Sequence, residues 1–466
     1  MAKSQEQFTP TLGCIKGELE TVDTSTNRFA GQLCSLIGSQ KQQLSKLFSL
    51  VLVSFVTAGL QFITMVKIAN MWGKAAFGDL AYAMVIGTYG AVIVQYGLNR
   101  TFVRDLIHFP SRFGELVAAS LVLRGLILAL VFLGLIGWNI IAGSNYSLSW
   151  GMMAVVIAVC MVSLDLQAVY DVWNKMVRHA VYNLLRRSVY FVMVWTFIVI
   201  LPDKLSITLI GVAMLLSVLI GMGIEYYWAI PRVKFDKNLN IRKTMADMAK
   251  SNIWVSLAAV GCLSFTGLNQ LILKHVSGSA ELGGYSACWQ ITLVAMLLLT
   301  QMSRIGRPAM ARYTNNKSEL SAHRIQFFLR YIGITLTVAA SIGLPSILFP
   351  RIIIGTLFRP EYISSAGTLR VLGVYIMIYS IGIVASQYVL AVRMEKTYFV
   401  SVIVGGCLSI VFCFILIPKL SGLGTALSLL ISHGAAMGLY MLAAVNHIRK
   451  SSRRIIQAHN PKRPSA

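Results

Sequence analysis

A single arginine inside a long apolar stretch is the sharpest chemical feature of this sequence. Arg124 lies about eight residues into the run Leu116–Ile141, between Leu123 and Gly125. A charge at the centre of a membrane helix costs about 2.5–3.5 kcal/mol on insertion scales, so it persists only beside a partner or in a water-filled cavity. Asp165, at a compatible depth in the fourth apolar run, is a candidate ion-pair partner. The two roles, cavity cation and structural ion pair, are compatible, and both stay open.

Five further polar residues stand within or beside apolar runs. The amides of Asn269 and Gln270 can hydrogen-bond a polar ligand or hold helices together. Lys67 and Lys274 end the first run of each half of the chain, as interfacial anchors or as cations at the mouth of a cavity. Arg370 opens the tenth run, where it either snorkels to phosphates or contributes to a second anion site.

Catalytic and metal-binding constellations are missing from the sequence. It contains no HExxH, no P-loop and no GxSxG, and its seven histidines are scattered. Asp165 is the carboxylate expected to be well buried, because Glu225 near a span end is expected to be solvated or paired with Arg232. We therefore predict a protein that is not an enzyme and that holds neither a cofactor nor a metal.

Twelve apolar runs must position these residues. The bilayer core is about 30 Å thick and a helix rises about 1.5 Å per residue, so about 20 residues cross it. Ser188–Leu201 is short, and we expect Val181–Leu185 to extend it on the cytoplasmic side. A composition of 56% hydrophobic and 12% charged residues leaves little polar surface for a soluble domain. The runs are Ser45–Ile68, Phe77–Leu98, Leu116–Ile141, Leu148–Tyr170, Ser188–Leu201, Leu205–Trp228, Ser251–Leu273, Gly283–Ser303, Ile325–Phe349, Thr368–Ala391, Thr397–Ile417 and Gly422–Val445.

The positive charge of the chain describes its topology. It has 41 Lys and Arg residues against 17 Asp and Glu residues, a net charge of +24 that would suggest nucleic-acid binding in a soluble protein. Most of these cations, among them Arg186 and Arg187, are assigned to every second gap between the runs. Cytoplasmic loops of membrane proteins carry such an excess, and anionic lipids attract it. We predict cytoplasmic termini, contact with membrane lipids and no nucleic-acid partner.

Two pairs of similar segments, here called sequence marks, indicate an internal duplication. Phe77–Ala83 resembles Leu282–Ala287, and Leu201–Ser206 resembles Ile417–Ser421, at separations of about 205 and 216 positions. The most basic connection leaves six runs on either side of it. Because six is even, both halves insert in the same orientation. The sequence therefore predicts an all-α polytopic membrane protein, with about twelve transmembrane helices in two six-helix lobes related by a parallel pseudo-two-fold repeat.

The same marks divide the chain into five parts. Its first segment lacks the apolar core of a cleavable signal peptide and is rich in Gln, Ser and Thr. The predicted parts are a flexible cytosolic tail (1–44), an N-terminal lobe (45–229), a basic cytoplasmic linker (230–250), a C-terminal lobe (251–446) and a basic cytosolic tail (447–466).

Several motifs carry a family resemblance. Lys67–Leu80 followed by Tyr96–Thr101 resembles the opening of bacterial O-antigen and exopolysaccharide flippases of the Wzx type. In the second half, Asn269–Leu273 before Gly283–Ala287, and Leu416–Pro418 before Gly422–Ala426, resemble the same family. The resemblance covers roughly residues 47–445. It places the chain in the multidrug/oligosaccharidyl-lipid/polysaccharide (MOP) exporter superfamily.

The resemblance implies alternating access in the bacterial inner membrane. Two lobes would rock about a central cavity and move a polyprenyl-diphosphate-linked oligosaccharide from the cytoplasmic to the outer leaflet, with other polysaccharide assembly proteins as candidate partners. A diphosphate needs cations and its sugars need polar groups. On this basis we predict seven substrate-binding residues, with Arg124 as the strongest candidate. They are Arg124, Asp165, Asn269, Gln270, Arg370, Lys67 and Lys274. Many relatives carry a carboxylate at the position of Asn269, so a proton-coupling role is not carried over to it.

Two other functions remain open at this point. A cation-coupled multidrug exporter of the same fold would be expected to carry a carboxylate in its first run, and Ser45–Ile68 has none. A membrane-embedded polysaccharide polymerase or glycosyltransferase would be expected to have a long outer loop or a carboxylate motif in a loop. The outer gaps between the runs are short.

Overall fold

The protein is helical throughout the part of the chain that the structure describes. In the computed structural model this part comprises the backbone of residues 11–141, 148–201, 204–233, 235, 240–315, 321–392 and 394–459, with side chains from Ser49 to Arg449 outside residues 99–100, 304–325 and a few single positions. Met1–Leu52 and Val53–Ala466 form separate compact units, and the description below concerns the second.

Thirteen α-helices follow one another in the described ranges. They are α1 (Thr11–Gln95), α2 (Leu98–His108), α3 (Phe113–Ile141), α4 (Trp150–Met161), α5 (Gln167–Val172), α6 (Met176–Ile200), α7 (Ile207–Ala229), α8 (Ile241–Leu263), α9 (Asn269–Asn315), α10 (Ser321–Leu348), α11 (Pro350–Leu357), α12 (Ala366–Ala391) and α13 (Glu395–His459). A short π-helical turn, Ser264–Leu268, joins α8 to α9.

Nine segments of the described chain are long and apolar enough to cross a membrane. Three of them, with 47, 37 and 54 residues, are longer than one crossing needs. Each of the three contains a break in its helical backbone, at Gly73, Gly278 or Ser421. Counting these three as two crossings each gives twelve, and the prediction of an all-α polytopic membrane protein with about twelve transmembrane helices is confirmed. The three breaks lie at one end of the bundle, here called the kink end. The other end, where Gly97 separates α1 from α2 and Pro231 follows α7, is called the basic end.

The first breaks of the two halves have the same geometry. Gly73 has φ 76° and ψ 179°, and Gly278, 205 positions later, has φ 86° and ψ 178°. This region of backbone space is open to glycine and closed to residues with a side chain. The separation of 205 is the one that the sequence marks predicted.

Two glycines then let the helices after these breaks cross in contact. A Cβ atom on Gly78 would lie 1.8 Å from the carbonyl oxygen of Ser279, and one on Gly283 would lie 1.9 Å from that of Lys74. Gly78 and Gly283, like Lys74 and Ser279, are 205 positions apart. The contact is therefore reciprocal, as an approximate two-fold axis between the halves requires.

The fifth span is longer than its apolar run. Helix α6 is continuous from Met176 to Ile200, so Arg186 lies ten residues, about 15 Å, along it. The assignment of Arg186 and Arg187 to a cytoplasmic gap is thus corrected, because both lie in the middle of a transmembrane helix. The arginines, and not a turn, shorten the apolar run.

The structure describes only part of the two predicted tails and of the predicted linker. The backbone of residues 11–48 is part of helix α1, whereas residues 1–10 and 460–466 lie outside the described residues. Within the predicted linker, 230–250, residues 234 and 236–239 also lie outside them, and the linker's last ten residues begin helix α8. The flexibility of the tail and the lobe boundaries stay predictions.

Candidate functional site

A cavity of about 520 Å³ lies between the two halves of the chain. From the first half, α1, α4, α6 and α7 line it, and from the second half α8, the π-helical turn and α9. Its polar lining residues are Gln61, Thr88, Tyr89, Gln95, Ser163, Arg186, Arg187, Ser217, Thr266, Gln270, Ser286, Trp289 and Gln290.

The charge of this lining has one sign. Arg186 and Arg187 contribute two cations, and no Asp or Glu occurs among the lining residues that the structure describes. The remaining polar groups are amides, hydroxyls and one indole. Such a surface suits an anion with attached hydroxyl groups, because guanidinium groups bind phosphate oxygens and amides bind hydroxyls.

The two arginines are held differently. Arg186 donates from Nη2 to Oδ1 of Asn183 at 2.7 Å. Its stem packs on Gly221 of α7, where a Cβ atom would lie 2.8 Å from Cβ of Arg186. Arg187 has no carboxylate within 4.0 Å among the described side chains. A guanidinium without an acidic partner beside a cavity is a ready site for an anionic ligand.

The cavity is closed at the kink end. Lys274 forms an ion pair with Asp79 and a hydrogen bond with Ser279, beside the glycine crossing. Tyr362 donates to the carbonyl oxygen of Ala69 at 3.1 Å, a further contact between the halves. These contacts must part for a ligand to leave through the kink end.

Behind Arg186 lies a buried polar cluster of the first half. His179 places Nδ1 3.0 Å from Oε1 of Glu225 and Nε2 3.9 Å from Oδ2 of Asp165. Glu225 also accepts a hydrogen bond from the backbone N–H of Leu166 at 3.3 Å, in the break between the end of α4 and the start of α5. Glu225 is 4% exposed, so the expectation that it is solvated or paired with Arg232 is wrong. Its position near the end of the apolar run concealed its contacts with Leu166 and with His179 of α6.

Arg124 belongs to the same buried region and is not among the lining residues of the cavity. Its Nη1 donates to the carbonyl oxygens of Ser163 and Asp165, at 3.1 and 3.3 Å. These carbonyls are freed where helix α4 ends, and an arginine satisfies them. Arg124 thus stabilises a broken helix. The described structure shows no direct ion pair with the Asp165 carboxylate, and contact of either residue with a substrate stays a prediction.

Of the seven predicted residues, only Gln270 lines the cavity. Asn269 turns away from it, and its Oδ1 accepts from Ser409 and Cys413 at 2.9 and 2.8 Å. The pair therefore divides the two roles expected of such amides, with Gln270 beside the cavity and Asn269 joining helices.

The remaining cations lie outside the cavity. Lys67 lies over the ring of Trp195, 5.6 Å from its centroid, and Lys274 pairs with Asp79 as described. The two lysines are 207 positions apart, two more than the glycine pairs, so they face different directions and are not equivalent. Arg370 is exposed and donates from Nε to the carbonyl oxygen of Ile347 at 3.3 Å.

The cationic residues of the cavity were missed for one reason. The positive-inside rule accounts for arginines in the gaps between apolar runs. Arg186 and Arg187 were assigned to such a cytoplasmic gap and were therefore not considered as cavity residues. Two signals indicated otherwise. The fifth run is too short to span, and His179, Asn183 and Arg186 recur at i, i+4 and i+7, which places them on one face of a helix.

Comparison with known proteins fits this geometry. The capsular polysaccharide biosynthesis protein CapF of Staphylococcus aureus is 22% identical over 410 residues, which cover 85% of this chain and 98% of that protein. The lipid II flippase MurJ in an inward closed conformation superposes with a TM-score of 0.69 at 12% identity, over 90% of this chain and 93% of the other. An inward-facing multidrug resistance MATE transporter gives 0.63 at 13% identity, over 87% and 99%. The fold is thus that of MOP superfamily transporters. Because residues 44–314 match the polysaccharide biosynthesis protein family, the chain belongs to that family.

Proposed function

We propose that the chain is a flippase that moves a polyprenyl-diphosphate-linked oligosaccharide across the bacterial inner membrane, from the cytoplasmic to the outer leaflet. The observation that carries this proposal is the cavity between the halves, with two arginines and no carboxylate in its described lining. A diphosphate headgroup is an anion that must pass a layer of low dielectric constant. Arg186 and Arg187 provide its counter-charge at mid-membrane depth.

The other lining groups fit the rest of such a substrate. Gln61, Gln270 and Gln290 offer amide donors and acceptors for sugar hydroxyls, and Trp289 offers an aromatic face. A separate groove of about 340 Å³, lined by Phe55, Ile342 and other apolar residues, can hold hydrocarbon. The lipid tail therefore stays among apolar groups while the headgroup occupies the polar cavity.

The relatives support the same substrate class. CapF is named for capsular polysaccharide biosynthesis and MurJ for flipping lipid II. The orientation, with the basic end and both termini in the cytoplasm, comes from the positive-inside rule and forms part of the proposal.

A multidrug exporter of the same fold is less well supported by the charge of the cavity. Cationic drugs need an anionic or aromatic partner, and a guanidinium pair repels them. A polymerase or glycosyltransferase would be expected to have a long outer loop, and the outer gaps between the apolar runs are short.

The experiment replaces both cavity arginines in a strain that lacks the chromosomal gene. Each charge-assisted hydrogen bond contributes about 1.5–3 kcal/mol, so the double change Arg186→Gln with Arg187→Gln should lower export by a hundredfold or more. Lipid-linked repeat units should then accumulate on the inner leaflet, which labelling of spheroplasts and inverted vesicles measures.

The matched control is Arg370→Gln, which removes an exposed arginine outside the cavity and should export normally. Comparable membrane abundance of all variants is checked by immunoblot. Unchanged lipid intermediates together with altered drug tolerance would favour the exporter and contradict the flippase.

A further inference from the structure

The buried cluster behind Arg186 brings together three titratable groups. His179 lies between Glu225, at 3.0 Å, and Asp165, at 3.9 Å. The side chains of His179 and Glu225 are 9% and 5% exposed. Two carboxylates and an imidazole packed this closely in a low-dielectric interior cannot all keep their charge independently, because each proton changes the field on the other two.

Charged and titratable groups face this cluster from every helix packed on it. Arg124 approaches from α3, Asp171 from α5, and Arg186 from the same helix as His179. The phenol groups of Tyr170 and Tyr226 face it, and Tyr182 packs against Tyr170. With His179 neutral, the charges of Arg124 and Arg186 balance those of Asp165 and Glu225, and Asp171 adds a further negative charge. Any further anion brought near favours an additional proton on the cluster.

A chain of two hydrogen bonds joins the cluster to the cavity. Nδ2 of Asn183 lies 2.9 Å from Nε2 of His179, and Oδ1 of Asn183 accepts from Arg186 at 2.7 Å. His179, Asn183 and Arg186 occupy successive turns on one face of α6. Asn183 therefore contacts the buried cluster with one end of its amide and the cavity cation Arg186 with the other.

The amide of Asn183 cannot serve both neighbours when His179 is protonated. In the observed arrangement its NH2 group donates to Nε2, which must then be the unprotonated nitrogen. A proton on Nε2 turns that nitrogen into a donor, so Asn183 must present its oxygen to His179 instead. Its NH2 group would then face the guanidinium of Arg186, donor against donor. Protonation thus frees Arg186 from Asn183.

We propose that Asp165, His179 and Glu225 form a proton-binding site coupled through Asn183 to anion binding at Arg186. A proton on the cluster releases Arg186 to a phosphate in the cavity, and a phosphate at Arg186 draws a proton onto the cluster. Both the hydrogen-bond geometry and the electrostatics give this sign. Coupling between two sites is reciprocal, and couplings in proteins are typically fivefold to 150-fold. The inference rests on the proposed role of Arg186 as part of the anion site.

The test measures binding of geranyl diphosphate to the full chain in lipid nanodiscs by calorimetry, between pH 6 and pH 8. Two buffers of different ionisation enthalpy give the number of protons taken up with the ligand. For each protein we take the ratio of its affinity at pH 6 to its affinity at pH 8. We expect this ratio to be at least fivefold larger for the wild-type protein than for His179→Gln. Since the ligand's own titration is common to both proteins, it cancels in this comparison.

Two further variants separate the relay from the fold. Asn183→Leu leaves the three titrating groups in place but releases Arg186, so at pH 8 it should bind more tightly than the wild-type protein and its affinity should change less between pH 8 and pH 6. His433→Gln alters a histidine of the second half, 2.8 Å from Tyr375, and should keep the full pH dependence.

The outcomes distinguish the two proposals. Equal pH dependence in the wild-type protein and His179→Gln, or a pH dependence in Asn183→Leu as large as that of the wild-type protein, would overturn the coupling through Asn183 while the anion site stands. Failure of the wild-type protein to bind the diphosphate at any pH would overturn the anion site itself, and the coupling with it.

Discussion

The two walls of the cavity share a scaffold and differ in chemistry. In the first half, Arg186 and Arg187 face the cavity and a charged cluster lies behind them. Residues 216 positions later, the separation of the second pair of sequence marks, are Val402 and Ile403. The polar core of the second half is the neutral set around Asn269, in which Ser409, Cys413 and Ser428 exchange hydrogen bonds.

The kink end shows the opposite relation. Gly73 matches Gly278 in backbone angles, and Gly78 matches Gly283 in the carbonyl that each touches. The two halves thus repeat each other at the helix crossing of the kink end, and they differ in the charged residues beside the cavity. We infer that the contact that closes the cavity depends on both halves equally, and that recognition of an anion depends on the first half.

The largest effect should come from the glycine crossing. In Gly78→Leu or Gly283→Leu, the new side chain meets a backbone carbonyl that lies less than 2 Å from its Cβ, so the two helices must separate. The kink end can then no longer close. We expect either variant to abolish export, measured by surface polymer at equal membrane abundance.

Gly134→Leu is the control for both, because a Cβ atom there meets nothing within 4 Å. It should leave export unchanged. An inactive Gly78→Leu beside an active Gly283→Leu would break the symmetry argument, since the two contacts are the same in distance and in kind.

The second effect concerns stability and should fall on the first half. Arg124→Leu removes the donor to the carbonyls of Ser163 and Asp165 and leaves the negative charge of the cluster less compensated. A buried acceptor left without its donor costs about 1–3 kcal/mol, and two carbonyls lose theirs. The unfolding midpoint of the purified protein should fall accordingly, whereas that of Arg370→Leu should not. A midpoint equal to that of the wild-type protein would contradict the structural role of Arg124.

The fold could be predicted from the sequence because its signals are cumulative. Twelve apolar runs, the distribution of basic residues and two spaced marks each indicate the same architecture, and an error in one run leaves the total intact. Gly73 and Gly278 sit at the predicted separation because a backbone conformation open to glycine leaves a visible residue type at each equivalent place.

The site could be predicted only in part, because the role of each polar residue depends on the direction in which its side chain points. The sequence indicates only how deep the residue lies in an apolar run. Arg124 and Gln270 both lie deep in apolar runs, yet one faces a broken helix and the other faces the cavity. No hydropathy value separates these cases. Arg186 and Arg187 were misassigned by the rule that places cations in loops, and Glu225 was misassigned because it lies near the end of its apolar run.

The third effect tests the neutral core of the second half. Asn269→Ala leaves the hydroxyl of Ser409 and the thiol of Cys413 without their shared acceptor, which costs about 1–3 kcal/mol. We expect a lower unfolding midpoint with unchanged affinity for geranyl diphosphate. Arg186→Gln should show the reverse, with weaker binding and little change in the midpoint. If Asn269→Ala weakened diphosphate binding as strongly as Arg186→Gln, recognition would not belong to the first half.

The smallest effect should come from a methyl group beside Arg186. In Gly221→Ala the added Cβ would lie 2.8 Å from Cβ and 3.1 Å from Cγ of the arginine, so α6 and α7 must move apart by a few tenths of an ångström. Overpacking of this kind costs about 1 kcal/mol, and diphosphate affinity should fall about fivefold. Gly223→Ala, two residues along the same helix, adds its methyl group where nothing lies within 4 Å and should bind as the wild-type protein does. The two variants make the same chemical change on one helix, so a difference between them reports the position of Arg186 and not helix propensity. Equal affinities would mean that the anion is bound by Arg187 without Arg186, and the first-half wall would then contain one recognising cation instead of two.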